Sequence, residues 1–393
     1  MKIGLQRIVH SLLGIAIIFF LATPQSRAQA ARSGSDQKPL MAEDVFKNVQ
    51  LLKGIPVKEF MDTMGFFSAA TSLNCIDCHS AQESNAGLEG YAVDTPLKQT
   101  ARKMILLVNM INKSTFGGQR KVTCYTCHRA TDHPKTIPSL LEQYGAPEDD
   151  PDEVEIATNT LGQPANQVSP DQVLDKYIQA IGGAPQLAKV TSFVAKGTYE
   201  GYETSSEKVP VEIFAGAPNQ LTTVVHTQHG DSVSTYDGTH GWIAASDKLM
   251  RTLPLSGGDL QGAKLDAYLS FPAGIKREFK WRTGFPSVSV DDRPVQVIQE
   301  VGGGETGAKL YFDKASGLLV RQVRYSDTPV GVIPMQIDYS DYREVAGVKL
   351  PFHLVITWTD GRSTIELSDV QPNVHIDAAK FATPATPKAK PTP

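Results

Sequence analysis

Every cysteine of this 393-residue chain falls within two copies of one five-residue pattern, Cys75-Ile76-Asp77-Cys78-His79 and Cys124-Tyr125-Thr126-Cys127-His128. The C-x-x-C-H spacing is the attachment signature of c-type haem. Two thiols separated by two residues reach the two vinyl groups on one edge of a porphyrin and form thioethers. The next residue then carries its imidazole beneath the ring as the proximal iron ligand. With four Cys and nine His in the chain, one such pentad arises by chance in about one of a thousand sequences of this length. Two copies that consume every thiol remove chance as an explanation. Cys75, Cys78, Cys124 and Cys127 are therefore expected to hold two covalently attached haems, with His79 and His128 on the irons.

Other uses of cysteine fit less well. A Cys₄ zinc site could draw on two C-x-x-C pairs, but these pairs are far apart for a zinc ribbon and the two histidines would have no role. A thioredoxin-like redox pair needs neither a second copy nor a following His. Two disulfides would be the ordinary reading of four cysteines in an exported chain. Export itself is expected from the first thirty residues. Lys2 and Arg7 precede an apolar run over 12–21, and Ala28-Gln29-Ala30 offers a small-residue cleavage site. That run is shorter than the roughly 20 residues a transmembrane helix needs, so a secretory signal over 1–30 is expected, with an uncleaved N-terminal anchor as the alternative. Its removal takes away three cations and no acid, moving the formal net charge from −4 to −7. A chain of 38 basic and 42 acidic residues has no electrostatic footprint for nucleic acid.

An electron-transfer haem has a second axial ligand, and a Met thioether there raises the potential. Each pentad is preceded by a helix-like segment that contains methionine. The first covers 57–70 after the Gly54-Ile55-Pro56 turn. Met61 and Met64 lie three apart on one face there, and spacing does not choose between them. The second covers 95–112, with Thr95 at the N-cap position and Pro96 in the first turn. Met104, Leu107, Val108 and Ile111 share one face of it, with Met110 on another. Core packing is the ordinary job of any single methionine. Repetition of a Met-bearing helix, a loop and C-x-x-C-H makes a doubled unit with a chemical purpose.

The stretch 44–130 resembles the cytochrome c subunit of photosynthetic reaction centres. The matching motifs are F-K-N-V-Q-L-L-K-G at 46–54, E-F-M-D-T-M at 59–64, T-A-R-K-M at 100–104, I-N-K at 111–113 and V-T-C-Y-T-C-H-R at 122–129. The resemblance implies that Met64 and Met104 are the sixth iron ligands, opposite His79 and His128. Members of that family typically hold four haems and many carry a lipid-anchoring cysteine. This chain has motifs for two haems and no such cysteine. Implied partners are redox proteins, among them a membrane-bound reaction centre or a respiratory complex. Arg129 and His133 are candidates for pairing with haem propionates, with exposed solvated positions as the equal alternative; Tyr125 is expected to pack on the ring edge, and Phe66 and Phe67 to line the haem pocket.

Residues 138–170 are rich in Pro, acids and small polar residues and read as a linker. A helix is expected at 171–181, ending at Gly182-Gly183. Beyond it the period becomes two: Val209, Val211 and Ile213; Leu310 and Phe312 before a turn over 313–317; Val348, Leu350 and Phe352 running on to Trp358; and tight turns at Asp237-Gly238 and Asp360-Gly361. These mark an antiparallel β domain over 171–381, a half-barrel or sandwich, followed by a disordered tail over 382–393. K-L-Y-F-D-K-A-S-G-L-L-V-R-Q at 309–322, V-K-L-P-F at 348–352 and I-D-A-A-K-F at 376–381 resemble the half-barrel of periplasmic lipoprotein carriers. That likeness implies a curved sheet wrapped round a helix and an apolar ligand on its concave face. His226, His229 and His240 invite a metal reading, with His226 and His229 in one apparent strand. Three residues apart in a strand, they would point to opposite faces, so surface or turn positions are expected instead.

The expected fold is thus multidomain: an α-helical dihaem c-type cytochrome domain over 40–137, then an antiparallel β domain of α+β character. The expected function is electron carriage without catalysis. Two alternatives are a haem enzyme of the peroxidase or reductase kind with one open distal site, and a lipid-binding β module with a redox attachment.

Overall fold

The structure is a computed structural model, which describes residues 39–79, 87–137, 168–246, 250–283, 288–302, 307–359 and 361–384. The expected signal segment, most of the linker and the end of the tail lie outside these residues. The segment Pro39–Pro393 forms one compact unit.

The helical part comprises α1 (Ala42–Val45), α2 (Val57–Thr71), α3 (Cys75–Cys78), α4 (Leu88–Tyr91), α5 (Pro96–Thr115) and α6 (Cys124–His128). Helix α2 begins behind Pro56 and ends at Ser72, a left-handed residue at φ 57°. Helix α5 starts as its sequence requires, with Thr95 Oγ1 accepting a hydrogen bond from Lys98 N at 3.2 Å and Pro96 in the first turn. It runs three residues beyond the expected 112. Its protein-facing residues are Ile105 and Asn112, both buried, whereas Met104 and Leu107 remain 39% and 43% exposed. The apolar stripe read from the sequence therefore does not face the protein core.

After α7 (Pro170–Ala180) and α8 (Ala184–Leu187) the chain is largely strand. Helix α7 has a full capping box, Ser169 with Gln172. One antiparallel sheet runs in the order β6-β5-β4-β3-β2-β1-β14-β13-β12-β11-β10-β9-β7, with β8 paired to β9. Its first half is a meander of β1 (Ser192–Gly201), β2 (Val209–Gly216), β3 (Gln220–Thr227), β4 (Gly230–Tyr236), β5 (Gly241–Ala245) and β6 (Thr252–Pro254). Helices α9 (Gly257–Ser270) and α10 (Ile275–Glu278) follow. The second half consists of β7 (Trp281–Arg282), β8 (Val288–Val290), β9 (Arg293–Glu300), β10 (Lys309–Asp313), β11 (Leu319–Thr328), β12 (Gly331–Val345), β13 (Val348–Trp358) and β14 (Gly361–Pro372).

Helix α9 touches β11 on one side and β3 and β4 on the other. Strands β3 and β11 are six places apart in the sheet, about 29 Å at about 4.8 Å per strand. A helix about 10–12 Å across reaches both only if the sheet curves around it. The main core gathers under this curve: Leu174 and Tyr177 of α7, Leu265 and Tyr268 of α9, Ile298, Leu310 and Phe312. Strand β10 is buried on both faces, with Tyr311 turned to a second cluster with Val297 and Val323.

The helical part packs on this sheet through α2, which lies against β11 and β12. Phe66, expected to line a haem pocket, is buried at 7% exposure and sits over Gly331 so closely that a methyl group there would overlap its ring. At the edge of this contact Lys58 Nζ bonds Asp62 Oδ1 and Asp259 Oδ2, each at 2.6 Å, and Ser326 Oγ donates to Asp259 Oδ1 at 2.7 Å. Burial, with the Asp259 carboxylate nearby, pushes Asp62 up to about 7 against the pull of Lys58.

The histidine reading needs one correction. Strand β3 ends at Thr227, and His229 lies in the two-residue turn before β4, not in a strand with His226. His226 faces the carboxylates of Asp231 at 2.8 Å and Glu212 at 3.5 Å. His240 lies in the turn between β4 and β5 beside Asp237, at 3.6 Å. Among the described residues no three of His, Cys, Asp or Glu gather as a metal-ion site.

Candidate haem-attachment site

All four cysteines are free thiols. Each pentad forms a single short helical turn opened by a capping box, Asn74 with Asp77 and Thr123 with Thr126. In the first, Asn74 N donates to Asp77 Oδ2 at 2.7 Å, and in the second, Thr123 N donates to Thr126 Oγ1 at 3.0 Å. Asp77 and Thr126, the second variable residue of each pentad, thus serve to wind the turn. Burial pushes the thiols of Cys78 and Cys124 up from their ordinary value.

The two pentads are tied to the Met-bearing helices. Thr95 Oγ1, the α5 cap, donates to Cys78 O at 2.9 Å. Ser72 Oγ, at the end of α2, donates to Ala130 O at 2.6 Å, and Ala130 N returns a bond to Ala70 O at 3.0 Å. Asn112 is 6% exposed and holds the loop that leads into Cys124. Its Oδ1 accepts from Lys121 N at 3.0 Å and Val122 N at 2.9 Å, and its Nδ2 donates to Val122 O at 2.7 Å. The side chain of Asn48 clamps the start of α5 by donating to Ala92 O at 2.8 Å and Asp94 Oδ1 at 3.0 Å. Arg102 donates to the same carboxylate oxygen at 2.7 Å. These residues explain why the F-K-N-V-Q and I-N-K stretches are specific; as sequence they showed resemblance without a role.

One cavity of about 340 Å³ brings the expected site residues together. Its walls include Met61, Met64, Cys75, Cys78, His79, Met104, Cys124 and His128; Cys127 lies outside the wall and is exposed. Both Met61 and Met64 line it, as does Phe67, whereas Phe66 does not. The His79 ring packs beside Tyr91, centroids 4.9 Å apart. His128 Nδ1 lies 3.0 Å from Thr131 O; a donated N–H there leaves Nε2 as the ligating nitrogen. Arg129 is exposed in a left-handed conformation at φ 49°, and His133 is exposed and paired with Asp132 at 2.9 Å. Tyr125 is 52% exposed.

The residues fit covalently held haem. The cavity wall leaves Leu51, Leu97 and Met104 about two-fifths exposed beside the thiols. Large apolar side chains grouped in an open cavity mark a surface that another apolar body covers. A porphyrin face supplies such a body, and the thiol, imidazole and thioether donors match its edge and its iron.

This arrangement resembles that of a c-type cytochrome, and the sequence comparisons point the same way. Residues 17–180 match the family described as photosynthetic reaction centre cytochrome C subunit, reaching past 44–130 at both ends. The photosynthetic reaction center cytochrome c subunit of Rubrivivax gelatinosus is 30% identical over 119 residues, which cover 29% of this chain and 30% of that protein. The chain thus spans under a third of that relative's length. Among solved structures, a LolA superfamily protein of Nitrosomonas europaea is similar at 12% identity and a TM-score of 0.38, over 55% of this chain and 98% of that one. A DUF1329 family protein of Desulfovibrio piger is similar at 11% identity and a TM-score of 0.37, over 54% of this chain and 96% of that one. The resemblance read from the sequence over 44–130 therefore recurs in the family match. Among the described residues no helix is long and apolar enough to cross a membrane.

Proposed function

We propose that the chain is an exported electron carrier with two c-type haems. Cys75 and Cys78 hold the first haem and Cys124 and Cys127 the second. His79 and Met64 ligate one iron, His128 and Met104 the other. The haem domain covers 40–137 and is joined through 138–170 to the β domain over 171–381. The observation that carries this reading is the single cavity in which both histidines, both methionines and three of the four thiols meet.

The haems, when bound, supply reversible one-electron chemistry. The chain's own residues orient and shield them. The capped pentad turns bring Cys75, Cys78, Cys124 and both imidazoles to the cavity, Thr131 O orients the His128 ring, and the cavity wall is largely apolar. Were Met64 and Met104 to hold the irons together with His79 and His128, no position would be left on either for a substrate, which favours a carrier over a peroxidase or reductase. Its partners are redox proteins on the periplasmic side, including a membrane-bound reaction centre or respiratory complex.

The test is an absorption spectrum of protein matured in a periplasm with haem attachment, oxidised and reduced, with and without carbon monoxide. Two haems per chain with low-spin bands unmoved by carbon monoxide are expected. An adduct on either reduced haem would refute the carrier reading and make the chain a haem enzyme.

A second cavity, of about 260 Å³, favours an additional ligand in the β domain. It is lined by Leu187, Phe193, Phe271, Val348 and Leu350, with Arg277 at its wall. An apolar chain with an anionic end suits it. Native mass spectrometry after incubation with a fatty acid checks this, and no adduct sensitive to Arg277→Ala would remove the reading.

A further inference from the structure

The turn between β11 and β12 enters the helical part. Val330, at its tip, is 5% exposed and belongs to one buried cluster with Phe66, Ala70, Ile105 and Cys124. Gly331 supports the Phe66 ring face to backbone. Thr328 Oγ1 donates to Gly331 O at 2.7 Å and accepts from Gly331 N at 3.1 Å, closing the tip. Arg120, in the loop before Cys124, donates to the Asp327 carboxylate and to Thr328 O across 207 and 208 residues of sequence. Three of its neighbours are a step from a proposed ligand or attachment thiol. Phe66 lies two residues after Met64, Ile105 follows Met104, and Cys124 is itself an attachment thiol.

We propose that this tip is a positioning wedge for both haem sites. Val330 and Gly331 set the spacing of α2, α5 and α6, and with it where Met64 and Met104 stand relative to the pentads. A close-packed cluster transmits a displacement of one methyl, because no void absorbs it. The axial thioether is a main lever on haem potential, so a residue far outside the haem motifs acts on potential by holding the helices that carry it. The β domain is then part of the haem pocket's outer wall. This proposal rests on the ligand assignment above.

The experiment uses the full chain with haems attached and three single variants. Val330→Ala removes the wedge. Gly331→Ala pushes the Phe66 ring aside. Val211→Ala, at a residue 1% exposed in a separate core cluster, controls for plain destabilisation. Potentiometric titration and the near-infrared charge-transfer band of Met-ligated ferric haem are recorded beside thermal unfolding. Val330→Ala and Gly331→Ala are expected to change the reduction equilibrium of at least one haem about threefold, roughly 28 mV at 59 mV per tenfold. Phe66→Leu is expected to return the Gly331→Ala protein toward the parent potential, a coupling that independent sites lack. Val211→Ala is expected to lower the melting temperature and leave the potentials alone. If Val330→Ala and Gly331→Ala do only what Val211→Ala does, the wedge is refuted while the carrier stands. If Val330→Ala yields no folded protein, the Gly331→Ala and Phe66→Leu pair decides. Absence of the Met band in the parent protein takes down both readings.

Discussion

Asn112 offers a direct test of how the second attachment loop is held. The side chain is buried in the middle of three hydrogen bonds, two accepted from Lys121 N and Val122 N and one donated to Val122 O. Asn112→Ala strips all three. Lys121 N keeps its bond to Gln119 O at 3.0 Å and, being exposed, loses only about 0.5 kcal/mol. Val122 is half-buried, and its N–H and C=O are each left short at about 1–1.5 kcal/mol. The sum is about 3 kcal/mol. Asn112→Asp keeps the two accepted bonds but sets a carboxylate against Val122 O, and should lose less than Ala at pH 4 than at pH 8. Urea unfolding followed by far-UV circular dichroism reads the total, and amide exchange at Val122 reads the site. Attachment at Cys124 and Cys127 should fall with the loosened loop, seen as chains of one-haem mass. A loss below about 1 kcal/mol with Val122 still protected would refute the account.

Further expectations concern neighbouring features. Lys58→Met removes the cation shared by the part-buried carboxylates of Asp62 and Asp259, and Asp62, already pushed up to about 7, then takes a proton, so the loss in chemical denaturation should be about 1–3 kcal/mol; a loss under about 0.5 kcal/mol would show that water reaches the pair. Thr95→Ala removes the α5 cap together with the bond to Cys78 O and should cost about 1–2 kcal/mol, with Thr95→Ser retaining most of it. The stretch 95–131 contains seven Lys and Arg and no carboxylate. Oxidation of the reduced protein by hexacyanoferrate(III) should therefore slow as ionic strength rises from about 0.01 to about 0.1 M, while a cationic cobalt oxidant speeds up, because the Debye length shrinks from about 30 to about 10 Å. The same sign for both oxidants in stopped-flow would contradict a positive face there.

What could be read from the sequence were features whose cause is local. The α5 start was visible because Thr95 and Pro96 act within one turn, and the pentads because thioether chemistry imposes its own spacing. The alternating residues of β2 and β13 were visible because a half-buried strand repeats every two residues. Phe66 was misread because its partner is Gly331, a residue without a side chain to announce a contact. Asn112 escaped notice because a search for apolar faces passes over a polar residue, although the backbone bonds it completes make it the better choice for that buried position. The exposed Met104 and Leu107 were placed on a common face correctly, but periodicity does not say what covers a face. His226 and His229 were assigned one strand because nothing in Gln228-His229-Gly230 announces a turn except the final glycine, at φ 122°.

The first and last strands of the sheet, β1 and β14, are hydrogen-bonded neighbours in its middle. Their outer ends are also tied, with Asn373 N donating to Ser192 O at 2.8 Å and Ser192 Oγ donating to Val374 O at 2.6 Å. The two free ends of the sheet thus leave from one seam, and its borders are the short internal strands β6 and β7. Short borders offer little edge for another chain to extend. A chain joined in this way is topologically close to a ring, to which a module can be grafted at either terminus without opening a strand pair. The haem-bearing segment occupies that graft point by sequence, and the β11–β12 turn meets it again through space.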